Sequence, residues 1–162
     1  LMKDNMAVLD MAGHLIRRLH QQSTQRFAQH TQAGGFDLTP VQFAALDAIQ
    51  AHPGSDQSYV AEVIGYDRAT IGGVMDRLEK KGWISRIVST RDRRARELSL
   101  TPQGREILST LSPIVQGLQA GILHPLSEAE QQFFIHLMRR VVWQSDPQDT
   151  SPTTTEASRS SP

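Results

Sequence analysis

The sequence predicts a mainly α-helical protein with one small β-hairpin and no larger sheet. Three observations carry that expectation. Apolar residues recur at helical spacing through most of the 162 residues. Two stretches open with a threonine cap followed by proline, and only residues 83–100 change to an alternating period. Hydrophobic residues make up 38% of the chain and charged residues 21%, so there is material for one real core.

A first helix is expected over residues 5–30. At helical spacing Leu9, Ala12, Ile16, Leu19, Ser23 and Phe27 share one stripe, which Val8 and Leu15 widen. The stretch Thr31 to Asp37, with Gly34-Gly35, should end it. Thr39-Pro40 then supplies a cap and a proline at the first helical position, opening a helix with Phe43, Leu46 and Ile49 inward. His52-Pro53-Gly54 stops that helix. A short helix from about Gln57 to Ile64 follows, then a turn at Gly65-Tyr66, then a helix from about Arg68 to Lys81 that ends at Gly82.

Trp83-Ile84-Ser85-Arg86-Ile87-Val88 is rich in β-formers, and Arg96-Glu97-Leu98-Ser99-Leu100 alternates polar and apolar residues. Together they read as a hairpin with a charged tip. Thr101-Pro102 repeats the cap signal and starts a helix with Ile107, Leu111, Ile114, Leu118 and Ile122 on one face, where Pro113 should introduce a kink. Ser127 and Glu130 form a capping box for a last helix bearing Phe133, Phe134, Leu137, Val141 and Val142. Residues 144–162 are dominated by Ser, Thr and Pro and lack large apolar side chains, the composition of a disordered tail.

Net charge is zero, with 17 basic and 17 acidic residues, but the charges are unevenly spread. From Arg68 to Arg105 ten basic residues face four acidic ones, a local +6 that the rest of the chain balances. A basic segment in a neutral protein is an electrostatic footprint for nucleic acid or else a solvated face. The absence of cysteine removes disulfides, thiolate metal sites and thiol redox sensing. Six scattered histidines, no two at i, i+4 on one helix, give no local metal spacing, so neither metal nor cofactor is expected. No apolar run approaches a membrane span and no leader pattern opens the chain, so a cytoplasmic protein without membrane contact is the expectation.

The short helix, turn and second helix fit a helix-turn-helix position by position. Ala61 is small where the helices cross, Gly65 sits where the turn needs positive φ, and Val60, Ile64, Ile71 and Val74 take the buried positions. Asp67 is placed to cap the second helix, whose outward face offers Arg68, Thr70, Gly73 and Arg77. Gly72 and Gly73 weaken the helix but allow its backbone to lie close to a neighbouring surface. A helix-turn-helix followed by a two-stranded basic hairpin is a winged helix, spanning residues 39–101.

The run from Asp67 to Ile84, DRATIGGVMDRLEKKGWI, resembles the multiple-antibiotic-resistance regulator (MarR) family. So does Asp92-Arg93-Arg94 followed by Leu98-Ser99-Leu100-Thr101 and Gly104. The resemblance covers about residues 5–143, within a single domain expected over residues 1–143. It implies a homodimeric winged-helix transcriptional regulator, usually a repressor, released from DNA by a small ligand.

Residues and resemblance agree on the DNA contacts. Arg68 and Thr70 would reach base edges in the major groove, with Gly73 close to the duplex and Arg77 on a phosphate. Arg91, Arg93, Arg94 and Arg96 would serve the minor groove and the phosphates. By resemblance, Arg94 is the inserted residue, and Asp92 orients the wing arginine through a salt bridge. One helix reads too few base pairs, and the apolar faces of residues 5–30 and 102–143 exceed what the small core can cover. Pairing with a second copy answers both, and matches a pseudo-palindromic operator with half-sites one turn apart.

On the first helix Arg17, His20 and Thr24 lie along the edge of the apolar stripe. The resemblance places effectors between that helix and the winged-helix body. An arginine and a histidine beside an apolar cavity suit an aromatic carboxylate or a phenol. Phe43, with Leu46 and Trp83, is a candidate for the cavity wall. The competing reading of Arg17 and His20 is a polar cluster at the dimer seam. Catalysis has no support, since neither HExxH, GxSxG nor a phosphate-cradling glycine loop is present. Alternatives of another kind are a regulator without an effector and a winged helix that binds protein.

Overall fold

In the computed structural model, residues 7–90 and 92–143 are described. Arg91 and the Ser/Thr/Pro-rich tail lie outside the described residues, as do the expectations placed on them. The described chain contains α1 (Ala12–Ala33), α2 (Pro40–Ala51), α3 (Gln57–Ile64), α4 (Arg68–Lys80), β1 (Ile84–Val88), β2 (Arg96–Leu100), α5 (Pro102–Ile122) and α6 (Glu128–Trp143). It forms two compact units, one ending at Ile122 and one beginning at Leu123. The first unit is a mainly helical fold with a hairpin wing.

The first helix departs from its expected bounds at both ends. Ala7–Asp10 form a 3-10 turn, and Met11 at φ −76°, ψ 131° separates it from α1. At the other end Thr31 does not break the helix. Its hydroxyl donates to the Phe27 carbonyl at 3.0 Å, so a residue that favours turns is satisfied inside the helix and fully buried. Gly35, at φ +78°, takes the chain out one turn later.

Local signals fix α2, α3 and α4. Thr39 and Gln42 form a reciprocal capping box, each side chain accepting the other's backbone N–H. Asp56 caps α3 through the Tyr59 N–H at 2.8 Å. Gly65 at φ +71° makes the turn into α4, and Gly82 at φ +74° leads out of it. Leu46, Ile49, Val60, Ile71, Met75 and Leu78 meet in the core with no exposed surface. Ala61 is buried at the α3–α4 crossing, as its size requires.

The wing pairs antiparallel with Ile84 opposite Leu100 and Arg86 opposite Leu98. Ile84, Leu98 and Leu100 face the core, which is the two-residue period seen in the sequence. The α2–α3 loop is pinned to β2, with Gly54 N–H donating to the Leu98 carbonyl and Leu98 N–H to the Ser55 carbonyl, both at 2.9 Å. At the base of the wing Thr101 N–H donates to the Trp83 carbonyl, and the Thr101 hydroxyl accepts from Gly104 N–H at 3.0 Å.

α1 packs on α5, burying Phe27 together with Leu108, Leu111 and Leu118. The N-terminal half of α1 finds no such cover among the described residues. Leu15 is 52% exposed and Ile16 is 64% exposed. α5 runs as one helix from Pro102 to Ile122 with Pro113 inside it. In the second unit, Ser127 and Glu130 close the capping box of α6, and Phe133, Val141 and Val142 are exposed.

Candidate nucleic-acid interface

α4 turns Ile71, Val74, Met75 and Leu78 into the core and leaves Arg68, Thr70 and Arg77 exposed, with Gly73 half-buried between them. Its start is held by Asp67. One carboxylate oxygen accepts the Thr70 N–H at 2.8 Å, and the other accepts the Thr70 hydroxyl at 2.5 Å. These two bonds from Thr70, the hydroxyl first, hold the Asp67 carboxyl below the usual carboxylate range. The Thr70 hydroxyl proton is therefore committed, and toward a partner this side chain offers lone pairs and a methyl group.

Neither glycine on the outward face is demanded by the fold. A β-carbon on Gly73 would meet no atom within 4 Å, and one on Gly72 would meet only the Gln57 side-chain nitrogen at an ordinary 3.5 Å. Both nonetheless sit in a helix, where each glycine costs about 1 kcal/mol relative to alanine. The middle of the helix is thus left without bulk, between Arg68 at one end and Arg77 at the other.

Arg93, Arg94 and Arg96 are exposed on the wing. The tip is shaped by hydrogen bonds, with Ser89 N–H donating to the Ala95 carbonyl and Ala95 N–H to the Asp92 carbonyl, both at 3.0 Å. Asp92 departs from its expected contact. Its carboxylate accepts the backbone N–H of Arg94 at 2.9 Å, and among the described residues it pairs with no guanidinium. The carboxylate closes a two-residue local ring typical of aspartate in turns, which leaves the Arg94 side chain to project outward.

The basic segment divides by role. Lys81 donates to the backbone carbonyl of Asp37, lies 3.3 Å from the Asp37 carboxylate, and sits 4.7 Å above the Trp83 ring. Arg105 donates to the Leu100 carbonyl at 2.9 Å. Arg86 donates to Glu79 at 2.8 Å and 2.5 Å and to Asp76 at 2.5 Å. These two acids, the hydrogen bond from Glu79 foremost, push the Arg86 pKa above its ordinary value. Three cations counted in the footprint thus serve the fold. Sequence reasoning gave Arg86 no separate part, although Asp76 and Glu79 at i, i+3 mark one strip of α4 and Arg86 shares its strand face with buried Ile84.

The candidate ligand residues are spread along α1. Arg17, His20 and Thr24 are exposed, and Phe43 is half-buried with its ring edge-on to Phe27 at 6.2 Å, one helical turn beyond Thr24. Leu46 is wholly enclosed by the core and lines no open space. Clefts of about 740, 410 and 520 Å³ lie by the α2–α3 loop, between α3 and the wing, and at the α3–α4 turn, and none contains Arg17, His20 or Thr24.

A family model described as the MarR family matches residues 36–95, which run from the approach to α2 to the tip of the wing. The transcriptional regulator HosA of Escherichia coli is 34% identical over 137 residues, covering 85% of this chain and 98% of that protein. The chain belongs to the MarR family. It is a winged-helix, DNA-binding transcriptional regulator, and its relatives are named as regulators rather than enzymes. Among solved MarR-like structures, the PcaV regulator of Streptomyces coelicolor, in complex with its natural ligand, is 32% identical. The match covers 87% of this chain and 98% of that one, with a TM-score of 0.78. BpsR of Bordetella bronchiseptica, whose DNA binding is regulated by 6-hydroxynicotinic acid, is 27% identical over 82% of this chain and 93% of its own. Its TM-score is 0.76. Among the described residues of this MarR-family chain, no helix is long and apolar enough to cross a membrane.

Proposed function

We propose that this regulator acts as a homodimeric repressor that occupies a pseudo-palindromic operator and leaves it when a small aromatic carboxylate or phenol binds. α4 enters the major groove, with Arg68 and Thr70 at base edges, Gly73 at the point of closest approach and Arg77 on a phosphate. Arg94 enters the neighbouring minor groove, while Arg91, Arg93 and Arg96 serve its phosphates. Asp92 shapes the wing through the Arg94 amide. Residues 5–30 and 102–143 provide the dimer seam, which sets the two α4 helices about 34 Å apart.

The observation that carries the ligand half of this reading lies on α1. Arg17 and His20 are exposed beside Leu15 and Ile16, which the described residues leave more than half exposed. A second subunit closing over that strip would enclose a cation and an imidazole against apolar walls, the chemistry that grips an aromatic acid. Thr24 and Phe43 complete the site. The regulation of BpsR by 6-hydroxynicotinic acid supports the same ligand class, and PcaV is a relative with its natural ligand bound.

The test is DNA binding to the region upstream of the protein's own gene, against random DNA at two salt concentrations, with a panel of aromatic acids and phenols. Specific binding released by one compound is expected, and Arg17→Ala should keep the DNA binding while losing the release. Specific binding that no compound releases would leave a regulator without an effector at this site. Equal binding to random DNA at both salts would favour a protein-binding winged helix.

A further inference from the structure

We propose that Arg86 is a positioning residue for DNA, which fixes the wing at a set offset from α4 and neutralises two carboxylates that α4 carries toward the duplex. This rests on the reading of α4 and the wing as the two elements that grip DNA. The wing is a two-stranded ribbon, and such ribbons twist and bend readily unless tied to a neighbour. Here β2 is pinned to the α2–α3 loop, and the side-chain tie from the wing to α4 is the Arg86 guanidinium. It leaves β1 on the same strand face as buried Ile84 and reaches across to two acids one helical turn apart on α4. Its planar fork can hold both at once, which fixes the separation and the angle of strand and helix together.

The electrostatic consequence is independent of the geometric one. The side chain of Asp76 is 69% exposed and that of Glu79 43% exposed, on the element that lies closest to the phosphates. Unpaired, each would repel the duplex. Arg86, itself only 17% exposed, spends its charge on them and leaves Arg68, Arg77 and Lys80 as the outward charges of α4.

The same guanidinium forms part of the wall of a cleft of about 410 Å³ between α3 and the wing, together with Gln57, Ser58, Arg94 and Arg96. The two acids in that wall are already committed, Asp56 to the Tyr59 N–H and Asp92 to the Arg94 N–H. A DNA strand passing from the major-groove helix to the minor-groove wing would cross this gap. Arg86 sets its width.

Two measurements test the assignment on the full-length protein. The first needs no DNA. Because the chain has no cysteine, spin labels at Lys80→Cys and Thr90→Cys report the distance from α4 to the wing, with labelled protein diluted in unlabelled protein so that one chain is read. A single narrow distance is expected, broadened by Arg86→Gln and narrowed again, in part, by Arg86→Lys. The second uses a duplex enriched from random DNA by the wild-type protein, read by hydroxyl-radical protection for the minor groove, by dimethyl-sulfate protection of guanine N7 for the major groove, and by affinity. Arg86→Gln should lose the minor-groove protection, keep the major-groove protection and bind about tenfold more weakly, by 1.4 kcal/mol. Adding Asp76→Asn and Glu79→Gln should recover affinity but not the minor-groove protection.

An unchanged distance in Arg86→Gln overturns the positioning role. Loss of both protections in equal measure, with the narrow distance kept, overturns it as well. If Arg86→Gln does not fold, Arg86→Lys decides through the same two readouts, and a lysine variant identical to wild type in both refutes the need for the fork. Failure of the wild type to enrich any duplex would count against the DNA reading, while the distance measurement still judges the tie itself.

Discussion

The carbonyl oxygen of Trp83 occupies the place a side chain on Gly104 would need: a β-carbon there would stand 1.9 Å from it. The contact closes the base of the wing against the first turn of α5, where Thr101 also bonds to the Gly82 and Trp83 carbonyls. Backbone, not a flexible side chain, is in the way, so the segment must shift to admit even a methyl group. Gly104→Ala is expected to destabilise the protein by about 3 kcal/mol, the upper part of the range for overpacking. Urea unfolding checks it, and a midpoint equal to wild type would show that the junction gives way freely.

Gly72 and Gly73 should behave in the opposite sense. Alanine at either position meets no obstruction within the chain and gains about 1 kcal/mol of helix propensity. On the proposed mode of binding, the added methyl groups stand where the duplex lies. The expected result is higher stability to urea with at least tenfold weaker specific DNA binding. Gains in both would mean that α4 does not approach DNA along this face.

Asp67 predicts a dependence on pH. Its carboxyl titrates below the usual range in the folded chain because Thr70 donates two bonds to the ionised form. A depressed folded value means that the stabilisation is complete above the unfolded carboxylate value and is lost as pH falls through the folded one. Asp67→Asn removes that titration. Melting temperatures of the two proteins should differ at neutral pH and converge as the pH falls through the lowered folded value. A constant gap across the whole range would contradict the assignment of the cap.

The uncovered half of α1 makes a prediction about assembly. Ile16→Glu places a charge where the proposed seam buries an exposed apolar side chain, and burying an unpaired charge is strongly unfavourable. Sedimentation should show a shift from dimer to monomer, with operator affinity falling at least tenfold because one wing and one helix remain to each particle. A dimer that survives the substitution would move the seam elsewhere.

What the sequence made legible was chiefly local. Gly65 and Gly82 announce left-handed turns, Thr39 and Asp67 announce helix starts, and each acts on residues within four positions, so α3 emerges with its observed limits and α4 within one residue of them. Periodicity found the first helix but could not register the extended backbone at Met11, which has no compositional mark. Thr31 misled for a related reason, since its turn preference vanishes once its hydroxyl bonds the preceding turn. The pairings of Arg86 and Lys81 were out of reach. A cation in a basic segment has the same composition whether it faces DNA or a carboxylate, and only the packing of β1 on α4, and of α4's end on the α1–α2 loop, separates the two.

Thr70 carries one further implication, for the code that α4 can read. On the proposed mode of binding, with its proton given to Asp67, it would meet the major groove as an acceptor and a methyl group. Adenine and cytosine offer an exocyclic amine there, and thymine offers its methyl group. Guanine presents two acceptors and nothing else. On that mode of binding the base opposite Thr70 would be chosen by exclusion of guanine, and Asp67, the cap that holds the Thr70 proton, would set the exclusion.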